Sequence, residues 1–170
     1  MSCTQTLSAI SRDCSPNMGG IKRVLLANRA DVSSITITTN AVSAIVMVSS
    51  KKFLPFDFKA GTSSMSSNYQ VNSENGVAYV QTDLVMVFNR METAKRTAIA
   101  ALAQADLYAI VEDMNGKYWL LGYDEEVVFT AGDGLSGTAR TDRNGYSVTL
   151  TDNSKELPME VASTVIEDII

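Results

Sequence analysis

The chain contains no histidine, so the commonest general base and the commonest metal ligand of proteins are both missing. It has only two cysteines, Cys3 and Cys14, and their spacing matches no zinc-binding or redox motif. The two thiols could form one disulfide, but such sparse use of cysteine favours two free thiols. We expect neither a metal ion nor another cofactor.

Charged side chains are also scarce, at 19% of the residues where about 25% is usual. The net charge is −5, and no run of basic residues is longer than two. A protein that grips the phosphates of nucleic acid usually carries a basic stripe. The composition therefore argues against tight binding of nucleic acid. It is compatible with a smooth acidic surface along which nucleic acid slides. The low charge also indicates that some surface is buried against partners.

Long apolar runs are missing as well. The N-terminus has no apolar segment of signal-peptide length, and no segment of the sequence is long enough to cross a bilayer. We expect no membrane partner and a protein that stays in a cytoplasm until assembly or lysis. Its 170 residues suffice for one domain with a full core.

An Ala-rich helix is the clearest local pattern that is present. Asn89 is a good helix N-cap, and Glu92 follows at the spacing of a capping box. Apolar residues, most of them alanine, recur at helical spacing and predict a helix over 91–105. Such a short helix cannot cover all the segments that are predicted to form sheet.

Three Asn-Gly pairs mark hairpins, because this dipeptide readily adopts the two positive φ angles of a type I′ turn. The Gly-rich residues 131–138 are predicted to be a flexible connection. The predicted strand pairs are 107–111 with 117–121 around Asn115-Gly116, 69–71 with 77–88 around Asn75-Gly76, and 138–142 with 146–151 around Asn144-Gly145.

The predicted strand 77–88 is well above the usual length of about five or six residues. Its even positions are nearly all apolar, whereas its odd positions become polar at Gln81 and Asp83. A strand of this length extends past the domain's own core, so we expect its overhang to pair elsewhere. The predicted strand 41–48 is apolar on both faces and must be covered twice.

Residues 1–20 are small and polar and predict an extended N-terminal arm, which leaves a β domain over 21–170. Residues 51–68 predict a mobile inter-subunit loop with aromatic anchors, in which Pro55 excludes a central strand. Residues 157–170 fit a helix face, but their Val, Thr and Ile content favours a strand.

The sum is about nine strands and one helix. Strands are also predicted over 21–28, 34–38 and 127–130. This pattern predicts an α+β fold, mainly antiparallel β, arranged as a sandwich or barrel with one flanking helix.

No catalytic constellation emerges, and we expect a protein that is not an enzyme. Acidic groups occur at Glu112-Asp113, Asp124–Glu126 and Glu167-Asp168 and could do acid–base work or bind calcium. Beside turns, such residues more often keep loops solvated. The segment Gly132–Gly137 lacks the Lys-Ser/Thr pair and the following helix that a phosphate-binding loop needs.

Assembly explains more of the sequence than catalysis does. Tyr118 and Trp119 could stack on a base or a sugar, but such residues are more often core or interface. The residues expected at subunit interfaces are Tyr118, Trp119, Val46, Val48, Phe53 and Phe56. A two-sided apolar strand, an overlong strand and a low charge together indicate an obligate assembly whose sheets continue between subunits.

The order of several motifs supports this interpretation. They are Gly19-Gly20-Ile21-Lys22-Arg23-Val24, then Asn75-Gly76 before the long strand, the Ala-rich helix 91–105, the strand 107–111, the segment Glu112–Gly122 with its Asn115-Gly116-Lys117-Tyr118-Trp119, and finally Asn144-Gly145-Tyr146. From Gly19 to Leu150, this order resembles the small tail tube proteins of tailed bacteriophages, especially those of Bacteroidetes phages and prophages. Glu112–Gly122 and the preceding Val111 are its most specific part.

The resemblance implies a β-sandwich or barrel subunit that forms stacked hexameric rings, whose inner sheets join into a tube that conducts genomic DNA without binding it. It implies a virion protein whose partners are its own copies and other tail proteins, such as a terminator, a baseplate or hub, and a sheath in contractile tails. The arm and residues 51–68 would bridge rings. Gln81 and Asp83 are the candidate lumen-facing residues, since an acidic or neutral wall repels phosphates.

Three other interpretations stay open at the level of sequence. The chain could be a monomeric, lipocalin-like barrel that binds a ligand, with the two-sided strand 41–48 as its best support. It could be a hydrolase that uses its acidic pairs. It could also be the tube of a phage-derived injection or secretion device, whose subunit would obey the same physics as a virion tube.

Overall fold

Eleven strands and two helices form the part of the chain that this computed structural model describes, residues 7–170. The strands are β1 Ile21–Asn28, β2 Val32–Thr38, β3 Ala41–Met47, β4 Leu54–Asp57, β5 Ser64–Asn72, β6 Val77–Asn89, β7 Leu107–Asp113, β8 Tyr118–Leu121, β9 Val128–Leu135, β10 Gly145–Ser154 and β11 Met159–Val161. The helices are α1 Thr93–Leu102 and α2 Ser163–Ile169.

The strands form two sheets. The seven-stranded sheet has the order β2-β3-β11-β8-β7-β1-β4, and the four-stranded sheet has the order β5-β6-β10-β9. Every pairing between neighbours is antiparallel except the short one between β3 and β11. The predicted α+β, mainly antiparallel fold is therefore confirmed, with more strands than expected.

The two sheets pack face to face around one core. Val24 and Val111 of the seven-stranded sheet share this core with Leu84, Met86 and Leu150 of the four-stranded sheet, and all five are fully buried. The even positions of β6 point into it, as their alternation predicts. The arrangement is a β-sandwich.

Helix α2 covers the other face of the seven-stranded sheet. Val165, Ile166 and Ile169 pack in a second core that contains Leu25 and Ile110. The prediction of a strand over 157–170 is wrong apart from the short β11. The three apolar residues fall on one side of a helix, and their burial outweighs the strand propensity of β-branched residues.

Helix α1 is shorter than predicted, and the capping box at Asn89 is wrong. Asn89 is the last residue of β6, where it pairs with Gly145 of β10. The helix has Glu92 at its N-cap position, without a side-chain cap, and the Glu92 carboxylate contacts Lys95 and Arg90 instead. For Asn89, pairing in the sheet is more favourable than capping the helix, because the pairing satisfies the backbone hydrogen-bonding groups of two strands.

The Asn-Gly pairs do lie at chain reversals, but not in two-residue turns. Around Asn115-Gly116 only the glycine has a positive φ, of 76°. The Gly116 N–H donates to the Asp113 carbonyl, and the Asp113 N–H donates to the Lys117 carbonyl. This pattern is typical of a three-residue loop that ends in a left-handed glycine. Both residues of Thr39-Asn40, which joins β2 and β3, have positive φ angles.

The predicted strand 138–142 is wrong, because the partner of β10 is β9 and residues 136–144 form the connection between them. The Gly-rich residues 131–135 belong to β9 and are not a flexible connection. The Phe129 ring lies over Gly132, where an added Cβ would be 2.5 Å from the ring's Cζ atom. The aromatic ring takes the place of the missing side chain, so this glycine does not interrupt the strand.

Residues 51–68 are not a continuous loop. They contain β4 and the first part of β5, which pair with β1 and β6 respectively. Pro55 lies in β4, an edge strand, as its missing N–H requires. Residues 7–20 form no helix or strand and are exposed, as an extended arm would be. The first six residues of the predicted arm, which include Cys3, lie outside the described residues.

Replacing Ile166 with alanine should lower the free energy of unfolding by about 2–5 kcal/mol, because it removes a buried side chain between α2 and the seven-stranded sheet. Denaturant-induced unfolding followed by circular dichroism measures the change. Glu167→Ala, on the exposed side of the same helix, is the control and should change stability by about 0.5 kcal/mol at most. Equal effects of the two substitutions would contradict the packing of α2.

Candidate assembly interface

The four edge strands of the two sheets differ in how well they are protected against pairing with another chain. Charged residues and proline blunt an exposed edge. Strand β4 is four residues long and contains Pro55 and Asp57, so its edge is blocked. Strand β5 is nine residues long and contains neither a charged residue nor proline. Strand β2 has no charge either, and β9 has only Asp133.

The four-stranded sheet is therefore open at both edges, β5 and β9, whereas the seven-stranded sheet is open only at β2. A sheet with two open edges can add a copy on each side and propagate. A sheet with one open edge can add one copy and then stops. The four-stranded sheet is the one that can continue through many subunits.

The face of the four-stranded sheet that points away from the core is mainly polar, with some apolar residues among the polar ones. Its strand register places Ser66 and Thr151 beside Asp83, and Asn68 and Asn153 beside Gln81. We call this surface the outer face. Its positions on the four strands are Ser64, Ser66, Asn68, Gln70 and Asn72 on β5, Val77, Tyr79, Gln81, Asp83, Val85 and Val87 on β6, Ser147, Thr149, Thr151 and Asn153 on β10, and Val128, Ala131, Asp133 and Leu135 on β9.

Hydrogen bonds between side chains order this outer face. The Thr130 hydroxyl donates to the Thr151 hydroxyl at 2.7 Å, and the Thr151 hydroxyl donates to the Asp83 carboxylate at 2.8 Å. The Gln81 amide donates to the same carboxylate at 3.3 Å. The two residues predicted to face a lumen thus lie side by side on one polar surface that is free of lysine and arginine at its strand positions.

The β5–β6 hairpin reaches beyond the rest of the sandwich. On β5, Tyr69 is 59% and Val71 is 69% exposed, although both lie on the core-side face of the strand. On the outer face of β6, Val77 and Tyr79 are also exposed. The predicted overhang is real, but it pairs within the chain, since β5 accompanies β6 to the turn at residues 73–76.

The six residues expected at interfaces are not brought together. Val46 and Val48 are exposed, on or just after β3. Phe53 lies in the second core and is 1% exposed, so it contacts its own chain and is a core residue. Phe56 packs against Phe88, with ring centroids 6.3 Å apart.

Tyr118 and Trp119 lie on opposite faces of β8 and are half-buried against the two different cores. The Trp119 indole N–H donates to the Asp113 carboxylate at 3.1 Å. That carboxylate also accepts the backbone N–H groups of Asn115 and Lys117 and so closes the β7–β8 turn. These aromatic residues stabilise the subunit itself.

The position of Glu112 beside a turn predicts that it keeps a loop solvated. The structure shows instead that Glu112 is a buried carboxylate. Burial by itself would raise the pKa of Glu112, but hydrogen bonds from Lys22 and Arg23 outweigh it and hold the pKa below its usual value. The Lys22 ammonium lies 2.7 Å from one carboxylate oxygen, and Arg23 binds the other. This cluster fastens the start of β1 to the end of β7.

The Asn115 side chain holds the root of the N-terminal segment. Its carbonyl accepts the Met18 N–H at 2.9 Å, and its amide donates to the Asn17 side chain and the Met18 carbonyl. Beyond this point Leu7 and Ile10 are more than 90% exposed. The segment 7–16 thus leaves the domain from a fixed point with apolar side chains that its own chain does not cover.

Asp152 is the buried carboxylate that connects the two sheets. It lies near the end of β10, is 1% exposed, and accepts the Gly122 N–H from the end of β8 at 3.2 Å. Burial is the main cause that raises the pKa of Asp152 to about 6. The Gly122 N–H opposes this rise, and the nearby Asp124 and Glu125 contribute to it. The joint between the sheets therefore carries a charge that is costly near neutral pH.

Chemistry beyond these contacts is sparse. Residues 7–170 contain no group of three or more His, Cys, Asp or Glu side chains that could hold a metal ion. Neither helix of this part of the chain has the length and apolarity that a membrane span needs. Family models, curated proteins and solved structures were compared with the chain, and none of them matches it.

Sequence reasoning missed the most informative surface, the edge of β5. Residues 62–68 are rich in serine, a composition that indicates a loop, and strand formation there depends on pairing with β6. Asp152 was also missed, since a single acidic residue in the run Thr151–Ser154 looks like strand-end polarity. Only the register with β6, which pairs Asp152 with the buried Thr82, shows that it points inward.

Replacing Asp152 with asparagine should change the pH dependence of stability. The folded-state pKa of Asp152 lies above the unfolded value, so the contribution of Asp152 to wild-type stability increases as the pH falls from about 7 through 6 toward 4. The variant lacks this contribution and should be the more stable protein at pH 7 by about 2–3 kcal/mol, an advantage that disappears near pH 4. Urea unfolding at several pH values measures this.

The exposed neighbour Glu125 provides the control, and Glu125→Gln should keep most of the wild-type pH dependence. If Asp152→Asn and the wild type gave parallel curves between pH 4 and 7, the buried charge at this joint would be refuted.

Proposed function

We propose that this chain is a structural subunit, not an enzyme, that assembles with identical copies into rings forming a tail tube for genomic DNA. The observation that carries the proposal is the contrast between the sheets. The four-stranded sheet is open at both edges, whereas the seven-stranded sheet is blocked at its β4 edge. Edge β5 of one copy pairs with edge β9 of the next.

The strand directions allow this pairing without a break in the pattern. Strands β5, β6, β10 and β9 alternate in direction, so β5 and β9 run opposite ways. Placing β9 of one copy beside β5 of the next continues the antiparallel alternation. The contact joins two different surfaces, and repetition of such a contact around an axis gives a closed ring. The resemblance to tail tube proteins supports six copies in that ring.

In such a ring the outer face lines the lumen and the seven-stranded sheet lies outside it. The wall then presents hydroxyl and amide groups with the carboxylates of Asp83 and Asp133, the latter in contact with Arg143 from the following loop. A wall of this kind offers phosphates hydrogen bonds but no array of cations, so DNA passes without being held. The N-terminal segment that Asn115 anchors is the part suited to reach a neighbouring ring.

The core argues against the ligand-barrel alternative. Side chains of both sheets fill the space between them, and the largest, such as Leu84, Met86 and Leu150, are fully buried. A lipocalin-like protein needs that space for its ligand. The contacts of Glu112 and Asp113 likewise favour a structural role for this acidic pair, because Glu112 is bound by Lys22 and Arg23, while Asp113 closes a turn.

The proposal places the protein in the virion tail, together with the terminator and the baseplate or hub proteins that end a tube. The same subunit would also suit a phage-derived injection device. Co-purification with DNA-filled particles, rather than with empty tubes, separates the two.

Replacing both Tyr69 and Val71 with glutamate should abolish ring assembly without unfolding the subunit. Both residues are more than half exposed in one copy and lie on β5, the edge strand that pairs with a neighbour in the proposed ring. Analytical ultracentrifugation and negative-stain microscopy of the purified protein should show rings or tubes for the wild type and 18.3 kDa monomers for the variant.

Leu54→Glu is the matched control, since Leu54 is equally exposed but lies on the blocked edge β4. It should assemble as the wild type does. A wild-type protein that stays monomeric at high concentration, or a Tyr69→Glu/Val71→Glu variant that still forms rings, would refute pairing through β5.

A positively charged outer face should make the tubes retain DNA. The change combines Asp83→Asn with Gln81→Lys and Thr149→Lys, which removes a carboxylate and adds two cations per copy on the outer face. Filter binding should detect retained DNA for this variant only, and the retention should weaken steeply with salt.

The corresponding variant with Gln81→Glu and Thr149→Glu controls for the loss of the two native side chains and should leave DNA free. Strong DNA retention by wild-type tubes would contradict a wall that lets DNA slide.

A further inference from the structure

A cavity of about 290 Å³ lies at the joint between the two sheets, where β8 and β10 end. Residues of β2, β8, β10 and β11 line it together with the loop 155–158. Among the described residues, none that lines this cavity belongs to the core that the two sheets share. Its volume is close to the lower end of the range for small-molecule sites, about 300–1,000 Å³. A small ligand could therefore bind here without opening the packed core.

Contacts within the subunit hold the loop 155–158 beside the cavity. The Asp124 carboxylate accepts the Lys155 N–H at 2.8 Å, and the Ser154 hydroxyl donates to the Glu156 carbonyl at 2.8 Å. Strand β11 follows the loop and pairs antiparallel with β8. The cavity is thus formed by one copy of the chain.

One oxygen of the buried Asp152 carboxylate has no hydrogen-bond partner. Oδ1 accepts the Gly122 N–H, whereas Oδ2 accepts no hydrogen bond from residues 7–170. The Ser154 hydroxyl is close enough to lower the pKa of Asp152, but it donates its proton to the Glu156 carbonyl. Every fully enclosed side-chain oxygen and nitrogen of this part of the chain has a partner, so Oδ2 borders the cavity that Asp152 lines. A side chain that is 1% exposed thus presents a free acceptor to the cavity.

The charged groups around this oxygen favour a cation. Asp124 and Glu156 also line the cavity, and Glu125 lies beside it. Lys155 is the basic residue among the lining residues, and within residues 7–170 its exposed ammonium forms no salt bridge with these carboxylates. Burial raises the pKa of Asp152 to about 6, so its negative charge is costly at neutral pH, and a bound cation would offset that cost.

The lining favours an organic cation over a metal ion. Within residues 7–170, no group of three or more His, Cys, Asp or Glu side chains could hold a metal ion. Apolar side chains, among them Leu120, Leu157 and Met159, form much of the rest of the lining. Such a surface suits an aliphatic chain, while the carboxylates suit ammonium groups.

We propose that this cavity binds a linear aliphatic diamine, with one ammonium group on Asp152 Oδ2 and the other beside the exposed carboxylates of Asp124 and Glu156. The site is complete in one copy, so the proposal does not rest on the ring. A ligand that binds the folded chain alone also stabilises it. The diamine would therefore strengthen the joint between the sheets at the point where the charge of Asp152 weakens it.

Isothermal titration calorimetry with 1,4-diaminobutane at pH 7.5 tests this site. Replacing Asp152 with asparagine should weaken binding by about tenfold or more, because it removes the charged acceptor. The loss cannot be attributed to unfolding, since this variant is expected to be the more stable protein near pH 7. Asp168→Asn makes the same chemical change on the exposed side of α2 and should keep the wild-type affinity.

Ligand analogues test the two ammonium groups separately. 1-Aminobutane keeps one cation and should bind more weakly than the diamine. 1,4-Butanediol has a similar length and no charge, and it should give no heat of binding. Calcium chloride should give none either, because the site is matched to an organic cation.

The pH dependence of binding provides a second measurement. The wild type should lose about tenfold in affinity between pH 7.5 and 5, as Asp152 takes up a proton, and the Asp152→Asn variant should lack this loss. Both proteins share the other titratable groups at and beside the cavity, whose effects cancel in the comparison. These groups are Tyr79, Tyr123, Asp124, Glu125, Lys155 and Glu156.

Several results would overturn the diamine site. They are the absence of diamine binding to the wild type, equal affinities of the wild type and Asp152→Asn, and binding of calcium or butanediol as tight as that of the diamine. None of them bears on the proposed ring, which ultracentrifugation and microscopy test independently.

Discussion

The central strands β1 and β7 of the seven-stranded sheet are buried on both faces by their own chain, and the rest of the molecule depends on this double burial. The four-stranded sheet covers one face and α2 covers the other. Strands β1 and β7 can therefore carry unbroken apolar runs such as Val24–Ala27, which a sheet exposed on one side could not. The apolar surface of these central strands is thus covered within one copy, whereas Val46 and Val48, at the predicted two-sided strand 41–48, stay exposed.

The two sheets consequently have different roles. The seven-stranded sheet provides most of the buried surface and closes itself off with Pro55 at one edge. The four-stranded sheet keeps a single buried face, a polar outer face and two unprotected edges. A free, uncharged strand such as β5 normally exposes a protein to aggregation. In the proposed ring, this unprotected edge pairs with a neighbouring copy and so favours an ordered polymer.

Local sequence patterns predicted those elements whose stability is local. The alternation in β6, the apolar run of β1 and the β7–β8 hairpin were all recognisable, because side-chain period and turn residues determine them. Elements that depend on partners distant in the sequence were not recognisable. The serines of β5 form a strand only because β6 lies beside them, and α2 is helical because one side of it meets a sheet that the sequence does not show. The polarity of the outer face was visible at Gln81 and Asp83, but its extent required the register of four strands.

The Phe129 ring that lies over Gly132 has a consequence for association. Glycine gives an isolated strand many accessible backbone conformations, and a flexible edge would lose that freedom when a neighbour pairs with it. The aromatic ring restricts the glycine within the single subunit, before any contact is made. In the proposed ring, a strand β9 ordered in this way would lose less conformational entropy on pairing with a neighbouring copy.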